Sequence, residues 1–405
     1  MKALAFFAIL CLLGLAARAQ DSTLTRLIRQ SQYALTPSGG QFSGPGWDKI
    51  RASIQKSQFV LVGEDHGMAQ IPLFVAAVAQ VLKPAVYVAE IDPYTAQTLT
   101  QLAAQPGLPT AYARQYPAAL CFYNWAEEFE LIRSLRAQRV RLVGLDQVFL
   151  ANAAPTYAWL ASEVKSKAAR AYFRRRAAIF QAQTQANERL GKDDYVMASQ
   201  SAAALDSLQA LTKGESPAVQ QMVQEYATSY AIYQGQIKGT GGHQERLNLM
   251  RRHLLQEFQR YQPATAQPVP KMLFKFGAAH LARGLSPIQF GDFYDVGNLA
   301  QDLAQAQDQN SLHLYVVGRQ GTAAASLNPT FPDKTARNYT AADNKKLQLF
   351  FAQISGPAWS AIDLRPARRA LTAGTLHVAS PSLQRIIQGY DYLVVIPETT
   401  ASHPM

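Results

Sequence analysis

Cysteine is nearly missing from this chain: Cys11 and Cys121 are the only two among 405 residues. Cys11 sits inside an unbroken apolar run from Ala3 to Leu15 that follows Lys2, and Ala17-Arg18-Ala19 then offers the small residues a signal peptidase accepts. The expectation is a signal peptide over 1–19, a processed chain starting at Gln20, and export to a periplasm or the exterior. Leu10, rather than a small residue, precedes Cys11, which argues against a lipoprotein signal. Loss of the leader would leave Cys121 alone, so no intrachain disulfide could form and stability would rest on an ordinary core. Cys121 has no His or acidic neighbour in sequence and reads as a small apolar residue, not a nucleophile.

Long apolar runs are also lacking. Beyond the leader nothing approaches the roughly 18 charge-free apolar residues that cross a bilayer, so no integral membrane segment is expected. Basic stretches interleaved with aromatics are absent as well. The formal net charge is +11, yet the one dense cluster, Arg170, Arg174, Arg175 and Arg176, falls in a segment of helical composition. It reads as a solvated helix face, and nucleic acid is not an expected partner. No repeat or low-complexity tract occurs, and a hydrophobic content of 48% excludes general disorder.

What the chain does contain is a βαβαβ rhythm. Phe59 to Gly63, Ala85 to Glu90 and Val140 to Gly144 are short apolar runs that end in polar residues, the pattern of buried parallel strands. Pro72 to Leu82 and Trp125 to Ala137 lie between them, the latter with Phe129, Ile132 and Leu135 at helical spacing. From Ala153 to about Gln262 the chain turns Ala- and Gln-rich with few β-branched runs, which predicts a helical insertion, interrupted near Gly214 and Gly239 to Gly242 and ended by the proline-rich segment Gln262 to Pro270. Met272 to Phe276, Leu312 to Val317 and Tyr392 to Ile396 read as further strands, and Gly321 to Lys345 as an irregular loop. The predicted fold is α/β, a parallel-rich central sheet flanked by helices with a large all-helical insertion at about 153–262, in a single domain over 20–405.

In open α/β sheets ligands bind beyond the carboxyl ends of the strands. Those ends carry Gly63-Glu64-Asp65-His66-Gly67, Glu90-Ile91-Asp92, Gly144-Leu145-Asp146-Gln147 and Gly277-Ala278-Ala279-His280. His66 and His280 share a Gly-x-x-His turn at opposite ends of the chain, with Glu90 and Asp146 expected between them and the glycines expected to let the backbone turn sharply. An imidazole beside a carboxylate can take a proton from water. Two imidazoles with carboxylates could equally hold a divalent metal, with His66 and His280 as ligands. The other five, His243, His253, His313, His377 and His403, read as surface or core residues.

The ordered motifs Gly63-Glu64-Asp65-His66-Gly67, Val88-Ala89-Glu90, Gly144-Leu145-Asp146-Gln147, Arg246 with Met250, Gly277 to Gly284 and Asp295-Val296-Gly297 resemble those of the erythromycin esterase family. Trp125 to Arg136, with Glu127 and Glu128, and the closing Tyr390 to Val395 extend the resemblance over about residues 45 to 400. The same superfamily includes the Tiki and TraB-like proteins and the haem-binding ChaN lipoproteins. The resemblance implies a hydrolase of an ester, lactone or amide in a small-molecule or peptide substrate. In it His66 is the general base, Glu64 and Glu90 orient it or the water, His280 assists at the oxyanion, and Asp146, Arg246 and Arg283 meet the substrate. Two departures stand out: a single residue separates Glu64 from His66, and Gly277 occupies a position where the esterases carry a further histidine. The resulting repeat is similar to that of the Tiki and TraB-like branch, associated with metal-dependent peptide cleavage, and the Gly-Glu-x-His form is similar to ChaN. A divalent metal or haem therefore remains an alternative cofactor.

Overall fold

Phe59–Glu64 is buried along its whole length, as a strand must be when both faces of its sheet are covered. Its side chains divide by alternation. Val60 and Val62 join a core with Phe74, Val78, Phe129 and Ile132, whereas Leu61 joins one with Leu247, Met250, Leu254 and Val296 on the other face. The computed structural model describes residues 22–190, 192, 194–261, 269–287, 291–325 and 336–405. The expected signal peptide over 1–19, Gln20 and residues 262–268 of the proline-rich break lie outside the described residues.

The described strands are β1 (Gln32–Ser38), β2 (Gln41–Ser43), β3 (Phe59–Glu64), β4 (Val86–Ala89), β5 (Arg141–Gly144), β6 (Met272–Gly277), β7 (Ser311–Gly318), β8 (Gly321–Ala324), β9 (Ala336–Tyr339), β10 (Trp359–Asp363) and β11 (Tyr392–Ile396). Nine of them form one sheet in the order β2-β1-β10-β11-β7-β3-β6-β4-β5, and β8 pairs with β9 separately. From β11 to β5 every pairing is parallel, while β10 and β1 close one side antiparallel. The sheet is thus parallel-rich and flanked by helices, as expected. All six strands anticipated from sequence are present within two residues of their expected bounds.

β1, β2 and β10 were not anticipated. β1 and β2 mix exposed or polar positions with only a few apolar ones, the signal of an edge rather than of a buried run, whereas β10 is buried between β1 and β11 but is only five residues long. The loop expected over Gly321 to Lys345 needs correction. Its described residues contain β8, β9 and most of a 3-10 turn at Ala341–Leu347, with Tyr339 and Asn344 buried, while residues 326–335 lie outside the described residues.

Between β5 and β6 the chain is helical, with long helices at Lys167–Arg189, Pro217–Lys238 and His243–Gln259. Pro217 follows the capping hydroxyl of Ser216, and Gly239 ends that helix in the left-handed conformation at φ 65°. The Arg170 to Arg176 cluster lies on the Lys167–Arg189 helix with Arg174 and Arg175 exposed, while Arg176 lies 4.4 Å over the Phe180 ring. Among the described residues no helix is long and apolar enough to cross a membrane.

Candidate active site

β3, β6 and β4 are consecutive in the sheet, so the segments that leave their carboxyl ends are neighbours in space. Glu64 closes β3 with His66 two residues on, Glu90 directly follows β4, and His280 lies in the helical turn Ala278–Leu281 after β6. Topology alone brings together residues that are 24 to more than 200 positions apart.

Glu90 stands between the two imidazoles. His66 Nε2 is 3.5 Å from Glu90 Oε2 and His280 Nε2 is 3.3 Å from Glu90 Oε1. The far nitrogens are tied back: His66 Nδ1 to Glu64 Oε1 at 2.7 Å, and His280 Nδ1 to Asp295 Oδ2 at 2.7 Å. An ionised carboxylate only accepts, so both Nδ1 atoms carry protons and both Nε2 atoms face Glu90. The His66 ring is stacked on Phe122, with centroids 3.9 Å apart and planes 14° apart. His66 keeps 28% of its side chain exposed against 6% for His280, so it is the imidazole that solvent can reach.

Glu90 is itself held on two sides. The Gly277 N–H donates to Oε2 at 2.6 Å and Arg246 Nη2 to Oε1 at 2.9 Å. Arg246 also grips Asp146 through Nε at 2.9 Å and Nη2 at 2.5 Å. Asp146 therefore lies one step behind Glu90, beyond the guanidinium, rather than between the histidines as expected.

Electrostatics follow from these contacts. Burial opposes the charged form of Glu90, but the charges of His280, His66 and Arg246 and the Gly277 N–H outweigh it and bring its pKa from 4.5 to about 2. Burial likewise opposes His66 as a cation, but the Glu64 hydrogen bond and the charges of Glu64 and Glu90 raise it above its ordinary 6.5. His280 is raised in the same way by Asp295 and Glu90, again against burial.

The expected sharp turn is present at Gly67, where φ is 87°, but not at Gly277. Gly277 has an ordinary extended backbone at φ −52°, ψ 138°. Its value is space: a Cβ there would lie 3.0 Å from His66 Nε2 and 3.4 Å from Glu90 Oε2. Gly144 similarly admits the backbone of Asp92, whose carbonyl oxygen would be 2.4 Å from a Cβ. We predict that Gly277→Ala folds normally but pushes His66 off its partners, lowering kcat by about 10- to 100-fold. Unchanged thermal unfolding with reduced turnover on a neutral ester would bear this out, and full turnover would refute it.

Arg283 is engaged within the fold. Its guanidinium forms a two-pronged pair with Asp391 at 2.7 and 2.6 Å, and Asp391 accepts from the N–H of His313, which is level with Leu61 in the register of β7 on β3. The remaining histidines fit the surface-or-core reading. His253 and His313 are buried, with Nδ1 on the Leu145 and Leu281 carbonyls, and His377 and His403 are exposed. His243 is half-buried. Cys121 is buried, and burial pushes its thiol well up, as suits an inert residue.

Sequence reasoning missed Lys275, Phe122 and the roles of Glu128 and Asp295. Lys275 is 3% exposed in the middle of β6 and donates to Glu64 at 2.6 Å and Glu128 at 2.7 Å. A lone lysine in the apolar run Met-Leu-Phe-Lys-Phe was the available signal. Asp65, between Glu64 and His66 in sequence, turns away to accept from Tyr315 at 3.0 Å, Tyr339 at 2.6 Å and Asn344, fastening the segment around β9 to the end of β3.

No known family profile matches the chain, and neither does any curated protein sequence. Solved structures do. A Bacillus cereus protein determined by structural genomics aligns with a TM-score of 0.58 at 14% identity, covering 95% of this chain and 99% of its own. A succinoglycan biosynthesis protein aligns with a TM-score of 0.57 at 12% identity, covering 96% and 99%. An erythromycin esterase, the EreC mutant in its open conformation, aligns with a TM-score of 0.52 at 13% identity, covering 88% and 94%. At such identities the likeness is one of fold, and fold leaves chemistry open.

Proposed function

We propose that this protein is an exported hydrolase of an uncharged ester, lactone or amide, with His66 as general base. The observation that carries this reading is the partly exposed imidazole of His66, fixed through Nδ1 by buried Glu64, stacked on Phe122, and facing Glu90 through Nε2. A water at Nε2 loses its proton to the ring as its oxygen attacks the carbonyl carbon. The tetrahedral intermediate then collapses, and the imidazolium returns the proton to the departing oxygen or nitrogen. His280, whose cationic form Asp295 and Glu90 favour, supplies positive potential to the oxyanion when protonated. Arg246 holds Glu90 and Asp146 in place through Nε and Nη2.

A resident metal or haem iron is not part of this reading. Nδ1 tied to a carboxylate is how metal-ligating histidines are commonly oriented, but both Nε2 atoms here face Glu90, whose oxygens already accept from Arg246 and Gly277. Among the described residues no group of three His, Cys, Asp or Glu side chains is arranged to hold a metal ion. No step of the proposed mechanism passes through either group.

The pH profile tests the reading. A general base must be unprotonated, and His66 is raised above 6.5. We predict that kcat/KM for p-nitrophenyl acetate rises with pH on a limb whose midpoint lies above 6.5, and that Glu64→Gln moves the midpoint down by removing a charge that favours the imidazolium. The limb should survive a chelator. A flat profile, a limb below 6.5, or activity lost to chelation and restored by one divalent ion would overturn the assignment. A Soret band on adding haemin, with no hydrolysis, would favour the haem-binding alternative.

A further inference from the structure

Between the sheet ends and the helical region lies a cavity of about 200 Å³ beside the imidazole pair. It is continuous with the site through two shared residues: Phe122, on which His66 stacks, and Glu90, which faces both histidines. Phe149 and Tyr233 add ring surface to that of Phe122.

The charges around it are already matched. Arg246, the one cationic residue among those lining it, is taken by Glu90 and Asp146. Asp92 caps the Pro93–Leu102 helix by accepting from the Tyr94 and Thr95 N–H groups. An anion entering here would meet three carboxylates against the single guanidinium of Arg246, already paired with two of them, and an ammonium would find those carboxylates engaged. One polar atom stands apart. Gln147 Oε1 is buried without a hydrogen-bond partner, in a residue that lines the cavity.

We propose that this cavity is the substrate pocket for a small uncharged group, ring-sized or a short chain, that offers a hydroxyl or amide N–H to Gln147. Its volume is below the roughly 300–1,000 Å³ of pockets for drug-sized ligands, so a bulky substrate places only one such group inside. The proposal rests on the hydrolase reading only in calling the occupant part of a substrate.

Saturation-transfer NMR on the full chain with benzamide, benzoate, benzylamine and toluene separates the possibilities. Benzamide should bind at least about tenfold more tightly than benzoate or benzylamine. Gln236 is exposed at the rim, so Gln236→Trp closes the mouth without disturbing the core and should cut benzamide binding about tenfold or more. Gln147→Leu, similar in volume, should weaken benzamide and spare toluene. Equal binding of benzoate or benzylamine, or indifference to Gln236→Trp, would overturn the pocket. Benzamide binding by a protein that cleaves no ester would sink the hydrolase reading and leave the pocket standing. Neutral-ester hydrolysis unaffected by Gln236→Trp would do the reverse.

Discussion

Replacing His66 with alanine should lower kcat for a neutral ester by about 10²- to 10⁴-fold, the usual contribution of a positioned general base. The fold should survive, because the substitution leaves no buried charge stranded. Glu64 keeps Lys275 at 2.6 Å, and Glu90 keeps Arg246 and the Gly277 N–H. His280→Ala provides the contrast. His280 is buried, and its removal would leave Asp295 with little beyond its own helix-capping bond to the Val296 N–H at 2.7 Å. That variant should lose stability together with activity. Turnover and urea unfolding measured on both proteins distinguish a catalytic from a structural imidazole. If His66→Ala keeps more than about a tenth of wild-type turnover, the base lies elsewhere.

The sheet was legible where the physics is local. A strand covered on both faces must be apolar throughout, and Val60-Leu61-Val62 or Leu393-Val394-Val395 admit few other readings. The antiparallel side was not, because Gln32–Ser38 is mostly exposed or half-buried and the short Trp359–Asp363 is a strand through its pairing with both β1 and β11. The same division holds at the site. His66, Glu90 and His280 could be picked out because strand ends in parallel sheets converge, a rule that needs no contact map. Their partners depended on contacts. Lys275 couples to Glu64 across the adjacent strand and to Glu128 on the Ala126–Ala137 helix, and Asp295 reaches His280 from fifteen residues away. Arg283, three residues beyond His280 in sequence, is likewise held by a contact that sequence does not show, its pair with Asp391 just before β11.

The buried Lys275 leads to the second large effect. Lys275→Met should destabilise the protein by about 3–5 kcal/mol, the usual cost of removing one member of a buried ion pair and stranding the other. Two carboxylates depend on this ammonium. Burial is the largest influence on Glu64, yet Lys275 and His66 overcome it and lower its pKa, whereas for Glu128 burial prevails over Lys275 and the pKa rises from 4.5 to about 7. The difference has a physical source: Glu64 touches two cationic groups and Glu128 only one, and each has an Oε2 without a hydrogen-bond partner among the described residues. Because Glu128 is raised, the folded state binds more protons than the unfolded state between about 4.5 and 7, so its contribution to stability falls as pH rises through that window. Without Lys275 the upper edge of the window moves higher still. The loss in Lys275→Met should therefore be largest near pH 8 and shrink toward pH 5.5, where Glu128 is neutralised by a proton instead of an ammonium. Adding Glu128→Gln should restore a large part of it. Urea unfolding at both pH values, read from midpoints at constant slope, decides the matter. A loss that is the same at both pH values, or that Glu128→Gln does not relieve, would mean that Lys275 matters for packing rather than for charge.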